Sequence, residues 1–140
     1  MTTDISGPKI RSVIAAVIRD EGRYLITKRS LSENPLPGYW SPLCGTVEPG
    51  EEQRDTVVRE IREELGVTGR PVRLLETTPI EGEAVLYWWL AEIVEGHPAV
   101  CTTELSEIRW VTIGEMEDLS PIRTHNVETF RRIEGLHSRR

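Results

Sequence analysis

Apolar positions along the chain follow two different periods. Residues 10–18 (IRSVIAAVI) form a short run rich in β-branched side chains, which predicts a buried strand. Arg19-Asp20-Glu21-Gly22 has turn chemistry, and residues 24–28 (YLITK) predict the returning arm of a hairpin. Residues 29–39 carry Pro35, Pro37 and Gly38 and predict a loop, with a further turn at Glu48-Pro49-Gly50. Short strands are expected over 73–77 and 108–112. Residues 84–94 (AVLYWWLAEIV) are nearly all apolar, which predicts a central strand covered on both faces and broken by Glu95-Gly96-His97-Pro98.

The second period is helical. No Pro or Gly interrupts residues 52–65, and Val57, Val58, Ile61 and Leu65 recur at helical spacing before Gly66 ends the run. Ser120-Pro121 reads as a capping hydroxyl followed by proline at the first helical position, so a terminal helix is expected from there to about Glu134, with Gly135 as its stop. The order β, β, α, β, β, β, α in one domain over residues 1–140 predicts an α/β fold, a mixed sheet with helices on its faces. On the apolar strand Trp88 and Trp89 should point to opposite faces, one into the core and the other to core or to a base-stacking surface. Trp110 reads as packing.

Composition narrows the function. Hydrophobic residues are 38% and charged residues 29%, as in a globular domain. The apolar stretch 13–18 is far too short to span a bilayer, and residues 1–9 hold no apolar leader core. Two cysteines, Cys44 and Cys101, are too few for a disulfide framework and fit the cytoplasm. With 23 acids against 17 bases the net charge is −6, which argues against a nucleic-acid polymer or an anionic membrane as partner. Small phosphorylated molecules held through a metal stay open, to a monomer or a homodimer.

The acids cluster. Residues 48–64 hold seven acids against three bases. At 100° per residue, Glu60, Glu63 and Glu64 share one arc of the helix, and the apolar set centres roughly 120° away. Like charges at this spacing oppose helix formation by a few tenths of a kcal/mol. Folding alone does not ask for that, whereas Mg²⁺ or Mn²⁺ wants carboxylate oxygens and keeps positions for water and phosphate. Arg59 and Arg62 could offset the repulsion, and Glu51, at the helix start, could serve as an N-terminal carboxylate or reach the cluster.

Gly45-x5-Glu51-x7-Arg59-Glu60-Ile61-x-Glu63-Glu64-x-Gly66-Val67 resembles the Nudix box at all nine constrained positions across 23 residues, 45–67. The resemblance implies the Nudix fold, an α/β/α sandwich around a mixed sheet, and Mg²⁺- or Mn²⁺-assisted hydrolysis of a nucleoside diphosphate linked to X. It implies metal contacts from Glu60, Glu63, Glu64 and the Cys44 carbonyl beside Gly45, with Arg59 and Glu51 supporting. The chain is also similar to MutT-type nucleoside triphosphate pyrophosphohydrolases. Glu104, six residues before Trp110, matches a loop glutamate that reaches the metals there, so Glu63 and Glu104 are both candidates for the general base. Asn126 and Arg29 match a base-reading asparagine and a second-strand arginine, and Trp40 offers an aromatic wall. The resemblance thus points to an unmodified or oxidised nucleoside triphosphate, cleaved to monophosphate and pyrophosphate.

Where many relatives read Trp-x-Phe-Pro-Gly-Gly, this chain reads Trp40-Ser41-Pro42-Leu43-Cys44-Gly45, which changes one wall of the base pocket. Isopentenyl diphosphate isomerases place a catalytic cysteine here, but they need upstream histidines that this chain lacks, so Cys44 reads as a buried, inert thiol. His97, His125 and His137 are isolated, and His125 adjoins Asn126. Arg131-Arg132 and Arg139-Arg140 read as solvated surface. ADP-ribose, a dinucleoside polyphosphate or a nucleotide sugar is an alternative substrate, and a nucleotide-binding module without turnover is the alternative outside enzymology.

Overall fold

The computed structural model describes residues 10–138. The expectation of no apolar leader core in residues 1–9 and the Arg139-Arg140 surface reading lie outside them, as does the side chain of His137. Strands β1 (Arg11–Asp20) and β2 (Arg23–Arg29) form the expected hairpin, closed by Glu21 and Gly22, both at positive φ (51° and 79°). Such a pair matches the right-handed twist of the two strands. Then follow β3 (Trp40–Ser41), β4 (Leu43–Thr46), α1 (Gln53–Leu65), β5 (Thr68–Ile80), β6 (Ala84–Glu95), β7 (Leu105–Val111), α2 (Ile113–Glu117) and α3 (Thr124–Ser138).

β1 is the hub of a mixed sheet. It runs parallel to β6 from Arg11 to Ile18 and antiparallel to β4 from Val13 to Ala16, and its far end meets β2. β5 flanks β6, while β3 and β7 flank β2. Both faces of the sheet are covered, so the two side-chain sets of a strand enter different cores. Ala15, Val17, Leu86 and Trp88 join Val127, Phe130 and Ile133 of α3. Ile14, Ala16, Ile18, Trp89 and Ala91 join Val57, Ile61 and Leu65 of α1. The last three are wholly buried, each contributing about 1.5–3 kcal/mol by leaving water. The result is the expected α/β/α sandwich.

Four local expectations change. β5 is 13 residues long rather than a short strand over 73–77, because an edge strand tolerates Pro71 and Pro79 and absorbs register shifts as bulges. Ser120-Pro121 does not start the terminal helix. The backbone bends at Ser120 and Pro121, Trp40 N–H donates to the Pro121 carbonyl at 2.9 Å, Ile122 makes an isolated bridge to Trp40, and α3 begins at Thr124. Gly135 does not end α3, since it is not among the glycines at positive φ. The short α2 was not expected, and a capping box, Thr112 with Glu115, starts it.

Candidate active site

The site forms where α1 passes beneath the β4 strand. Glu52 caps α1 in extended conformation, and Gly66 ends it in the left-handed region at φ 71°, as the sequence predicts. The helix buries more than its apolar stripe. Glu60 and Glu64 are only 8% and 7% exposed, because β4 covers the arc next to the apolar one. Gly45 makes that approach possible: a Cβ there would stand 2.2 Å from the Glu60 carboxyl carbon. The expectation that the clustered carboxylates face away from the core therefore holds for Glu63 alone, whose side chain is 57% exposed.

Glu60 and Glu64 share a hydrogen bond. Burial, that bond and the charges of Glu60, Glu104 and Glu63 push the Glu64 carboxyl up to about 9. Burial raises Glu60 as well, against the pull of Arg59.

Arg59 organises the other acids. Its Nε and Nη2 donate to the two Glu51 carboxylate oxygens at 2.8 and 3.0 Å, a fork geometry that a lysine cannot reproduce. Its Nη1 donates to Glu60 at 3.1 Å and Glu63 at 3.2 Å, and its Nη2 also reaches the Thr46 carbonyl at 3.1 Å. Glu51 further accepts from Glu48 N–H at 3.0 Å and Thr56 Oγ1 at 2.8 Å. The Arg59 bonds first, then these two, lower its carboxyl to about 2. Of the two roles open to Glu51, the geometry takes the structural one: a brace between the turn, α1 and Arg59.

Above the glutamate pair lies a cavity of about 1030 Å³ that brings together Arg29, Trp40, Cys44, Gly45, Arg59, Glu60, Glu64, Glu104 and Asn126. Residues some eighty positions apart thus meet in one cleft. Glu104 arrives there because Ser30 N–H donates to its carbonyl at 2.9 Å and Ser30 Oγ donates to the Thr103 carbonyl at 2.7 Å. Arg29 keeps its Nε buried without a hydrogen-bond partner. Asn126 is buried in the cavity wall, next to exposed His125 and Arg123. Glu63 and Glu51 are not among the lining residues. Cys44 is a free, half-buried thiol that lines the cavity, and desolvation pushes it up to about 12.

Trp40 does not offer a free aromatic face. It is 3% exposed in the core, with the Arg109 guanidinium 4.9 Å and the Lys28 ammonium 5.7 Å from its ring centre. Trp88 packs edge-on against Phe130, and Trp89 donates to Gln53 on the α1 side, so neither supplies a stacking surface in this cavity. The half-buried residues Leu36 and Tyr39 line it beside Trp40. The Pro/Gly-rich loop was legible in the sequence, but the inward turn of these two was not.

Among the described residues no three Asp, Glu, His or Cys side chains stand together in an arrangement that could hold a metal ion. The donor chemistry nevertheless fits a hard divalent cation. It comprises two buried carboxyls, a third carboxylate on the Glu104 loop and a strand backbone brought close by Gly45.

This α/β/α sandwich with an acidic helix under a cleft is similar in fold to a MutT protein. The solved structure from Methanosarcina mazei Go1 covers 94% of this chain and 99% of its own, with a TM-score of 0.79 at 24% identity. The family profile described as NUDIX domain matches residues 8–133, and the chain belongs to that family. A MutT NUDIX hydrolase from Burkholderia pseudomallei is 29% identical and covers 85% of this chain and 94% of its own, with a TM-score of 0.73. Nucleoside triphosphatase NudI of Escherichia fergusonii is 43% identical over 56 residues, or 40% of each chain. Its counterpart from Escherichia coli O1:K1 / APEC is 39% identical over 69 residues, which is 49% of this chain and 47% of the relative. In both cases the match spans less than half the relative's length.

Proposed function

We propose that this chain hydrolyses a nucleoside 5′-triphosphate to the monophosphate and pyrophosphate with Mg²⁺ or Mn²⁺ as cofactor. The observation that carries the reading is the buried Glu60–Glu64 pair at one end of a cavity large enough for a nucleotide. The names of the NudI and MutT relatives agree with a nucleoside triphosphate as the substrate class. Glu60 and Glu64, joined by Glu104 and the Cys44 carbonyl, would hold the cation. When bound, it neutralises phosphate charge and lowers the pKa of a water.

The chain's own residues do the rest. Arg59, braced by Glu51, holds Glu60 in orientation and keeps Glu63 at the rim. Glu104, exposed and inside the cavity, is better situated than Glu63 to accept the proton of the attacking water. The buried, unpartnered Arg29 Nε favours an anionic oxygen, and the Asn126 amide can both donate and accept along a base edge. Free Cys44 and Cys101 suit a reducing cytoplasm.

The test is a turnover screen over unmodified and oxidised triphosphates, ADP-ribose, dinucleoside polyphosphates and nucleotide sugars, with products analysed after reaction in ¹⁸O-water. We expect triphosphate preference, with label in one product only, either the monophosphate or the pyrophosphate. Orthophosphate as primary product overturns the pyrophosphohydrolase reading, and preference for ADP-ribose overturns the substrate class.

A further inference from the structure

The loop over residues 30–39 contains a conformation that its own turn chemistry does not require. Leu36-Pro37-Gly38-Tyr39 is a tight turn closed by Tyr39 N–H donating to the Leu36 carbonyl at 3.3 Å. Proline at its second position and glycine at φ 74° at its third are what such a turn asks for. Leu36 is the first residue of the turn, where no positive φ is needed. Yet it sits at φ 62°, where a side chain with a Cβ is disfavoured, and the following proline disfavours helical backbone as well. Packing does not account for it either, since Leu36 belongs to neither core cluster. The half-buried leucine turns into the cavity, beside Pro35 and Tyr39 and in the same cleft as Asn126.

The root of this loop is the segment that holds Glu104. Arg29 N–H donates to the Tyr39 carbonyl at 2.8 Å, and Ser30 ties to Glu104 and Thr103. One loop therefore positions an acid for the phosphate end at its base and an apolar wall near its tip. Strain retained at a ligand-facing position, without a folding reason, marks a contact that the ligand uses.

We propose that Leu36 is a specificity-determining residue whose side chain forms the apolar wall against the base of the nucleotide, held inward at a backbone angle that glycine would adopt more easily. This rests on the nucleotide reading of the cavity. It differs from the roles of Arg29 and Asn126, which are polar.

The experiment compares wild type, Leu36→Gly and Leu36→Ala in Mg²⁺. Equilibrium binding is measured for the α,β-methylene analogues of the four deoxynucleoside triphosphates and for 2-deoxyribose 5-triphosphate, which lacks a base. Thermal unfolding and turnover are recorded alongside. Leu36→Gly should weaken the best-bound nucleotide analogue by about tenfold, the scale of one lost leucine contact, and leave the base-free ligand unchanged. Its Tm should hold or rise, since the strain is relieved. Leu36→Ala should lose the same affinity without the gain in Tm. Equal loss on both ligand types, no loss on either, or a fall in the Tm of Leu36→Gly overturns the inference, because Leu36 is then a structural residue. Wild type that binds the analogues but turns over no triphosphate overturns the hydrolase reading alone. Wild type that binds none of the ligands overturns both.

Discussion

Carboxylates in α1 and in the turn before it end in opposite electrostatic states. Glu51, just before the helix, has every oxygen engaged by Arg59, Thr56 and the Glu48 amide, and its carboxyl falls to about 2. Glu60 and Glu64, within the helix, are buried, Glu60 against Gly45 with one Arg59 contact, and Glu64 rises to about 9. Both groups satisfy the same sequence pattern. The first is complete within the protein and acts as a brace. The second has more acid than internal partners, and such an excess is what separates a candidate ligand site from a structural salt bridge.

The sharpest way to break this comparison is to change one member of the buried pair. Glu64→Gln replaces a largely protonated carboxyl by a group of the same shape, so without metal the fold should survive and Tm should hold or rise slightly. Turnover should fall by more than about 100-fold, the upper end for residues that merely support a metal ligand. Tight nucleotide and metal binding with unchanged turnover in the variant would place the chemistry elsewhere.

Next in size is Arg59→Lys. The ammonium keeps the charge but cannot span both oxygens of Glu51 while reaching Glu60. We expect about 10- to 100-fold loss of kcat/KM through misplaced Glu60, together with a lower Tm. Glu51→Gln should reproduce the Tm loss, because Arg59 is then left with weaker partners. Equal Tm for all three proteins would show that the brace is not structural.

The two groups also predict opposite limbs of a pH–stability curve. An unfolded glutamate titrates near about 4.3. Glu64, raised in the fold, binds its proton more tightly when native, so stability without metal declines as pH rises from that value through about 9. Glu51, lowered in the fold, contributes stability above the unfolded value that is lost as pH falls towards about 2. Urea midpoints in EDTA should therefore decline from pH 5 to pH 9, and Glu64→Gln should flatten that decline. Mg²⁺ should raise stability most at the alkaline end, where it binds the ionised pair without competing protons. A wild-type curve in EDTA that rises over this range sinks the assignment of Glu64 as the raised group.

How much of this was readable from the chain follows the same division. The spacing of Val57, Ile61 and Leu65 and the stop at Gly66 identify α1, because a helix's own period and cap are local properties. The grouping of Glu60 with Glu64 is local too. Their burial is not: it depends on β4 lying over a second arc of the helix, and Gly45 reports that close approach only once the strand's position is known. Trp40 failed as a stacking surface for the same reason, since aromatic character does not reveal which neighbours cover a ring. Thr112 and Glu115 carry a legible capping signal for α2. Ser120-Pro121 carries an equally good one, but the segment bends there, tied to Trp40 through the Pro121 carbonyl and the Ile122 bridge, and the helix starts at Thr124. Local signals propose elements, and tertiary pairing decides among them.

The smallest expected effect tests how redundant the brace is. Thr56 is wholly buried, and its hydroxyl donates to Glu51 at 2.8 Å, with the Glu52 carbonyl also within reach at 3.1 Å. Thr56→Val keeps the shape and removes the donor. Glu51 keeps both Arg59 contacts and the Glu48 amide, so the loss should be about 1 kcal/mol, the net worth of one hydrogen bond. The carboxyl then moves part of the way back towards its ordinary value. The destabilisation should therefore be full above pH 5 and fade as Glu51 is protonated, while the alkaline limb governed by Glu64 stays as in wild type. kcat should be unchanged, because Arg59 still holds Glu60. A loss of turnover comparable to that of Arg59→Lys would mean that the two groups are not separable and that every contact of Glu51 is transmitted to the buried pair.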